Sequence, residues 1–394
     1  MRNKQNVEKS KHLSILLGSI NPYSYLGHSQ RMFSLAHCFA KRGMEVTWMN
    51  SPSFAFLQNA KFIIKETTSR NFYPFFLERE DKLTKDISIY IFDSWAPPKY
   101  DKLDISLYFT RFLQKVYSGL LSRLQRIDVF LFDSPIFADL AARMKKLQGT
   151  FIIYHSPDDY FAYSEIGRSF KQLEKSVVNV ADIIVVPTQS IRRSILGRNK
   201  IKLDVHIIPN GVPKAEISKV PIKRKPEKVP RIGFIGTLAS WVDVNLVFNI
   251  ATRMHHCDFV IAGDGPYYNY WKQRSPLNCT FIGRVSIAKR KDIISSFDVG
   301  LIPFKLNSLT NSAFPLKLLE YFSRGVPVVS SPLVEIRKIA TGFVYFAKDI
   351  DQWIYQINNA LNENYDSKVS YLDFASKYTW EYTADLLLDV FSRN

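Results

Sequence analysis

Ser312-Ala313-Phe314-Pro315-Leu316-Lys317-Leu318-Leu319-Glu320-Tyr321-Phe322-Ser323-Arg324-Gly325-Val326-Pro327-Val328-Val329-Ser330 reads as a loop, a helix and then a buried strand. Proline suits the first turn of a helix, where its missing N–H is not needed, and glycine suits the residue past the last turn. The spacing therefore opens a helix near Pro315 and closes it at Gly325. A helix N-terminus offers free N–H groups and a positive dipole end, so a phosphate is readily held there. Lys317 adds a full charge in the first turn. Glu320 lies one turn on along the same face, where it can accept hydrogen bonds from a ribose diol. The same two residues also describe an ordinary exposed pair on a helix surface, which contributes little.

Upstream, the alternation of short apolar strand, turn and helical pattern repeats. Arg231–Gly236, Phe259–Ala262, Thr280–Gly283 and Val299–Pro303 read as strands, and Val244–Met254 as a helix. Before them, Lys219–Arg231 holds six basic residues, one acid and three prolines, a spacing that no helix or central strand survives. An earlier series precedes it, with strands at Leu13–Leu17, Glu45–Met49, Ser88–Phe92, Val129–Phe132, Phe151–Tyr154, Ile183–Val186 and Val205–Ile208. A helix over Arg31–Arg42 is ended by Gly43. The expectation is an α/β chain of two doubly wound Rossmann-like domains facing a central cleft. The boundaries fall at 12–210 for the first domain, 211–230 for a basic Pro-rich linker, 231–365 for the second domain and 366–394 for a C-terminal helix. Ligands of such sheets sit at the carboxyl ends of the strands.

With 394 residues, 46% of them hydrophobic and 23% charged, the composition is globular and excludes a disordered or collagen-like chain. Cys38, Cys257 and Cys279 are too few and too scattered for a disulfide framework or a zinc site, which fits a reducing, cytoplasmic compartment. Lys and Arg outnumber Asp and Glu by 53 to 36, a net charge of +17. The partner is then anionic: a phospholipid surface, a nucleic acid or a phosphorylated substrate. His12–Gln30 lacks Asp, Glu, Lys and Arg, but Asn21, Pro22 and Gly27 exclude a membrane span, and no signal-peptide cleavage pattern follows its apolar core. It reads as a first strand and a glycine-containing loop. No HExxH, paired CxxC, P-loop or GxSxG pattern is present. His255-His256-Cys257-Asp258 reads as a solvated turn, because adjacent residues cannot all face one ion.

The ordered set of motifs in the second half resembles the glycosyltransferases of the GT-B fold, specifically family 4 and its relatives in bacterial polysaccharide and teichuronic-acid biosynthesis. The matching text is Pro209-Asn210-Gly211-Val212, Gly233-Phe234-Ile235-Gly236, Ile261-Ala262-Gly263-Asp264-Gly265-Pro266, Phe281-Ile282-Gly283-Arg284-Val285, Asp298 to Phe304, and Pro315 to Ser330. The resemblance implies a nucleoside-diphosphate-sugar donor, UDP-linked rather than GDP-linked, bound mainly by the second domain. It also implies transfer with retention, and a last helix around Tyr371–Phe391 that packs back on the first domain. Glu320 falls on the carboxylate that holds the nucleotide ribose, and Lys317 on a basic position near the diphosphate. Asn311, Ser312, Ala313, Phe314 and Pro315 fall on a loop whose backbone amides face the donor. Gly236, Gly263 and Arg284 fall on donor-side loops, and Gly27 on a first-domain loop near the phosphates. Two departures stand out: Ser312 replaces a glutamate that the family often has eight residues before the ribose carboxylate, and Thr237–Asp243 lacks the usual Arg and Lys. Diphosphate charge then falls to Lys317, with Arg284 or Lys305 beside it, and no metal or other cofactor is expected.

In the first half, Tyr154-His155-Ser156-Pro157-Asp158-Asp159-Tyr160 leaves the end of an apolar strand. The family places a cleft histidine after a comparable strand. His155 takes that role, completing a catalytic set with Lys317 and Glu320, while Asp158 or Asp159 contacts acceptor hydroxyls. The residues alone also allow a turn in which an aspartate caps a helix and His155 bonds locally. Arg111–Arg126 reads as a basic amphipathic helix whose cations suit anionic lipid at the inner face of the cell membrane. The partners implied are thus a nucleotide sugar, a saccharide or lipid-linked acceptor and a membrane surface, with no nucleic acid. The competing readings are a nucleotide-sugar epimerase or hydrolase on this fold, and a non-catalytic basic binder of membrane or nucleic acid.

Overall fold

The apolar runs become strands, several of them buried along their whole length, as parallel strands covered by helices must be. Val129–Phe132, Ile183–Val186 and Val299–Ile302 have no exposed residue. The computed structural model describes residues 13–19, 30–50, 76–80, 87–92, 126–162, 168–199, 203–221, 229–314 and 316–393. The readings at Gly27, at the Arg111–Arg126 helix (apart from Arg126), at Pro315 and at residues 222–228 of the basic linker lie outside the described residues.

The first sheet contains β1 (Ser14–Ser19), β2 (Glu45–Asn50), β3 (Phe76–Glu80), β4 (Ile87–Phe92), β5 (Val129–Phe132), β6 (Phe151–His155), β7 (Ile183–Val186) and β8 (Val205–Ile207). Their order is β3-β4-β2-β1-β5-β6-β7-β8, parallel except for the antiparallel edge strand β3. The second sheet contains β9 (Arg231–Ile235), β10 (Asp258–Ala262), β11 (Cys279–Gly283), β12 (Val299–Ile302), β13 (Val328–Ser330) and β14 (Val344–Phe346), ordered β11-β10-β9-β12-β13-β14 and wholly parallel. Counted within that half, the order is 3-2-1-4-5-6, which reverses direction between β9 and β12 and opens a crevice there. β3 and β14 escaped the sequence reading because Phe76-Leu77-Glu78-Arg79-Glu80 is charged, as edge strands often are, and Val344-Tyr345-Phe346 is short.

The helices are α1 (Gln30–Ala40), α2 (Ala138–Gln148), α3 (Arg168–Val180), α4 (Gln189–Asn199), α5 (Val244–Arg253), α6 (Tyr268–Lys272), α7 (Ile287–Ser295), α8 (Ser308–Ser312), α9 (Leu316–Phe322), α10 (Val334–Ala340), α11 (Ile350–Leu361), α12 (Tyr365–Ser376) and α13 (Trp380–Ser392). The tail expected as one helix is two. Tyr371, Phe374 and Ala375 of α12 join the second-sheet core, whereas Trp380, Ala384 and Leu387 of α13 join Ile15, Leu17, Trp48 and Ile153 on one face of the first sheet. The break lies at Lys377–Thr379, where the chain crosses between halves.

That crossing is bonded to the earlier one. Val212 and Thr379 form a parallel bridge, with the Val212 N–H donating to Tyr378 O at 3.0 Å and the Trp380 N–H to Val212 O at 3.1 Å. A Cβ on Gly211 would lie 2.4 Å from the Thr379 carbonyl carbon, so only glycine lets the two crossings touch. The residues just after 210, read as linker, are therefore part of a packed hinge.

Candidate functional site

At the reversal of the second sheet the site is assembled from backbone. The Tyr321 hydroxyl accepts from the Ile235 N–H at 3.1 Å and donates to Leu301 O at 3.2 Å, so α9 is pinned across the split between β9 and β12. This anchoring aims two residues that precede Tyr321 on the helix, Lys317 by four positions and Glu320 by one. The Lys317 ammonium reaches back over the turn after β9, 5.4 Å from the centre of the Phe304 ring and 5.9 Å from that of Phe234. Gly236, at φ 154°, is what admits it: an added Cβ would sit 2.2 Å from Lys317 Cε. Burial lowers the Lys317 pKa; Glu320 opposes that shift and Arg290 adds to it. Glu320 is buried and its Oε1 accepts from Arg290 Nη1 of α7 at 2.5 Å. Gly263 continues the floor, for a Cβ there would lie 1.9 Å from Gly236 O. Arg284, about half exposed, pairs with Asp264 at 3.4 Å, a contact that solvent leaves weak.

The loop before α9 differs from expectation. Asn307 caps a short helix, α8, in a reciprocal capping box with Thr310. The Asn311 and Ala313 amides consequently donate to Asn307 O and Leu309 O, at 3.0 and 3.1 Å, instead of facing a donor. Ser312 is buried, its hydroxyl on Leu309 O. Its carbonyl accepts from Thr188 Oγ1, the residue that caps α4 of the first half, at 2.8 Å. The Asn210 amide nitrogen donates to Phe314 O at 3.3 Å, and its oxygen accepts from Arg31 Nε at 2.7 Å. Ser190 Oγ donates to Glu335, which also holds Lys338 Nζ at 2.6 Å. The carboxyl ends of the two sheets therefore meet along one hydrogen-bonded seam.

His155 closes β6 at this seam. It is 1% exposed, and among the described residues neither ring nitrogen has a hydrogen-bond partner. Burial, with the Arg31 guanidinium adding to it, pushes its pKa well below the usual range, so the ring is neutral at pH 7. The two aspartates that follow separate. Asp159 turns inward, where Oδ1 accepts from Arg198 Nη1 at 2.8 Å and from the Phe161 N–H at 3.2 Å, and Oδ2 from Ser194 Oγ at 2.5 Å. Arg198 Nη2 also holds the fully buried Glu174 at 2.5 Å. Asp159 is thus a turn cap in a buried ionic cluster, and Asp158 is the half-buried member of the pair. His255 and His256 are exposed while Cys257 turns into the core, and among the described residues no group of three or more His, Cys, Asp or Glu is arranged to hold a metal ion. Arg290, Arg31 and Thr188 were not singled out in the sequence, because each belongs to a helix start or a basic run with no motif spacing of its own.

Two doubly wound halves, meeting at their strand ends over a glycine-lined floor, define a two-domain α/β protein of Rossmann-like halves. The model for glycosyl transferases group 1 matches residues 229–363, and that for glycosyltransferase family 4 matches residues 26–216. The chain belongs to the family 4-type glycosyltransferases, whose two domain models between them span most of it. A curated relative is TuaH of Bacillus subtilis (strain 168), assigned to teichuronic acid biosynthesis as a glycosyltransferase. It is 25% identical over 199 residues, which cover 46% of this chain and 48% of TuaH. The chain thus matches about half the length of that relative. Among solved structures, sucrose-phosphate synthase from Thermosynechococcus elongatus superposes with a TM-score of 0.72 at 12% identity, covering 97% of this chain and 98% of that one. Anabaena HepE in complex with UDP gives 0.66 at 11% identity, covering 97% and 100%. The UDP-forming α,α-trehalose-phosphate synthase of Burkholderia xenovorans gives 0.68 at 12%, covering 96% and 98%. At these identities the superpositions establish the shared two-domain architecture.

Proposed function

We propose that the chain transfers a sugar from a UDP-sugar to a saccharide or lipid-linked acceptor in cell-surface polysaccharide synthesis. The observation that carries this reading is the Lys317 ammonium laid across Gly236 at the reversal of the second sheet, one turn ahead of the buried Glu320 carboxylate. A cation there suits a diphosphate, and a carboxylate three residues on suits the ribose attached to it. HepE holds UDP, and the Burkholderia enzyme is named for forming it, which favours a uridine donor. TuaH supports a cell-surface polymer as the destination.

In the reaction the bond from the anomeric carbon to the phosphate oxygen breaks, its electron pair leaving with UDP, and the acceptor oxygen bonds to that carbon. The acceptor proton passes to the departing phosphate, the strongest base newly formed on that face, which is consistent with retention. Lys317 meets the charge that grows on the leaving diphosphate, in a site partly shielded from water where such an interaction is strong. Neutral His155 orients the sugar and does not act as nucleophile. A fixed ammonium at the diphosphate makes a metal ion unnecessary. Among the described residues no helix is long and apolar enough to cross a membrane, and the +17 charge suits peripheral attachment to an anionic inner surface.

Thermal stabilisation by UDP and GDP, with a chelator present, tests this in wild type and Glu320→Ala. The expected result is a UDP-specific shift that weakens in the variant. A folded protein that responds to neither nucleotide would remove the donor site and leave a basic binding protein.

A further inference from the structure

Glu320 does not hold its place alone. Its side chain is 9% exposed, and a carboxylate so far from water needs a partner that supplies both charge and hydrogen bonds. Arg290 supplies them from α7, through a side chain only 21% exposed whose Nε is buried with no partner among the described residues. Nη1 takes Oε1 at 2.5 Å. This single charge-assisted contact occupies Oε1 and leaves Oε2 as the oxygen for a ligand.

Two neighbours connect this pair to the rest of the site. The Arg290 N–H donates to Ser286 O at 3.1 Å, and Ser286 directly follows Gly283-Arg284-Val285, so that loop and Arg290 share one rigid turn. On the hinge side, burial and then Glu320 raise the pKa of Glu216, while Arg290 opposes them. Arg290 therefore also offsets the repulsion between the Glu216 and Glu320 carboxylates.

We infer that Arg290 is a positioning residue that orients Glu320 toward the ribose diol of the donor, so that sugar-ring recognition depends on a residue that never touches the nucleotide. This rests on the donor-site reading of Glu320 given above. It predicts a specific loss: UDP affinity falls toward that of a donor lacking the diol, whose own affinity is unchanged.

The experiment is calorimetric titration of UDP and its 2′,3′-dideoxy analogue into wild type, Glu320→Gln, Arg290→Gln, Arg290→Lys and the Glu320→Gln/Arg290→Gln double variant, with thermal midpoints recorded. Wild type should prefer UDP by about tenfold or more, the scale of hydrogen bonds to a charged acceptor. Glu320→Gln and Arg290→Gln should each bring that ratio close to unity, and Arg290→Lys should recover part of it. The double variant, which removes the buried charges together, should match Glu320→Gln. If Arg290→Gln keeps the wild-type ratio, or binds UDP more tightly than wild type, Arg290 is a packing partner or a competitor and the inference is overturned. If Arg290→Gln does not fold, Arg290→Lys decides, because an ammonium cannot reproduce the guanidinium contact in full, and an undiminished wild-type ratio in that variant overturns the inference. A wild type that binds UDP without diol preference defeats the ribose role of Glu320 and this inference with it. A wild type that does not bind UDP defeats the donor site itself.

Discussion

The two faces of the seam are built from different materials. The second sheet ends its central strands in glycines, and its working groups, Lys317 and Glu320, project from a helix pinned by one tyrosine. The first sheet ends β6 in a buried histidine, and its next turn is tied down by the ion cluster of Asp159, Glu174 and Arg198. Backbone floors accept a ligand whose shape does not vary, such as a nucleoside diphosphate, because N–H groups and close approach leave little to adjust. Side-chain faces set on an internal scaffold can change their outermost residue without disturbing the support. Affinity for the donor and stability of the acceptor face should therefore be separable by mutation.

The largest expected effect would break the acceptor face alone. Arg198→Met leaves two buried carboxylates unpaired and should cost about 3–5 kcal/mol in denaturant unfolding, with UDP affinity of the remaining folded protein nearly unchanged. A parallel loss of UDP binding would show that the two faces are not independent. Next, Lys317→Ala should lower turnover by about 10²–10³-fold, the scale of losing one preorganised charge contact, as read by UDP release, while leaving the thermal midpoint close to wild type. Lys317→Arg should rescue little, since the space over Gly236 is filled. Gly211→Ala acts on the hinge common to both faces. Its Cβ meets Thr379 backbone, and overpacking of this kind costs roughly 1–3 kcal/mol, visible as a lower midpoint for both halves. The smallest effect is a slope. The folded-state pKa of His155 lies below its ordinary 6.5, so below that pH the unfolded chain binds more protons and stability falls as pH drops. His155→Asn should remove this component, at most about 1.4 kcal/mol per pH unit, in urea unfolding compared at pH 7 and pH 5.

Much of the second half was legible because its glycines and prolines sit where backbone geometry demands them. Gly325, at φ 70°, ends the helix that Pro315 announced, and Val328–Ser330 is the strand that follows. Lys317 and Glu320 share the face that their spacing predicts. The partners of Glu320 and Asp159 were not legible. Arg290 lies thirty residues from Glu320, and Arg198 thirty-nine from Asp159, so local periodicity carries no trace of either pairing. The loop at Asn311–Phe314 was misread for the opposite reason, because its cause is a local signal, Asn307 three residues before Thr310, that was passed over. Its amides looked free until the Asn307–Thr310 capping box turned them into a helix end.

The assignment of α13 to the first sheet has a consequence for how the protein is made. Ile15, Leu17, Trp48 and Ile153 emerge from the ribosome early, yet the residues that cover them, Trp380, Ala384 and Leu387, come roughly 180 positions after the first sheet is complete. At a synthesis rate of about 5–20 residues per second, that face waits on the order of ten seconds or longer for its cover. During that interval the nascent chain presents an apolar surface, and it should be bound by holding chaperones until the last turns of α13 arrive. The first half begins folding first and is finished last.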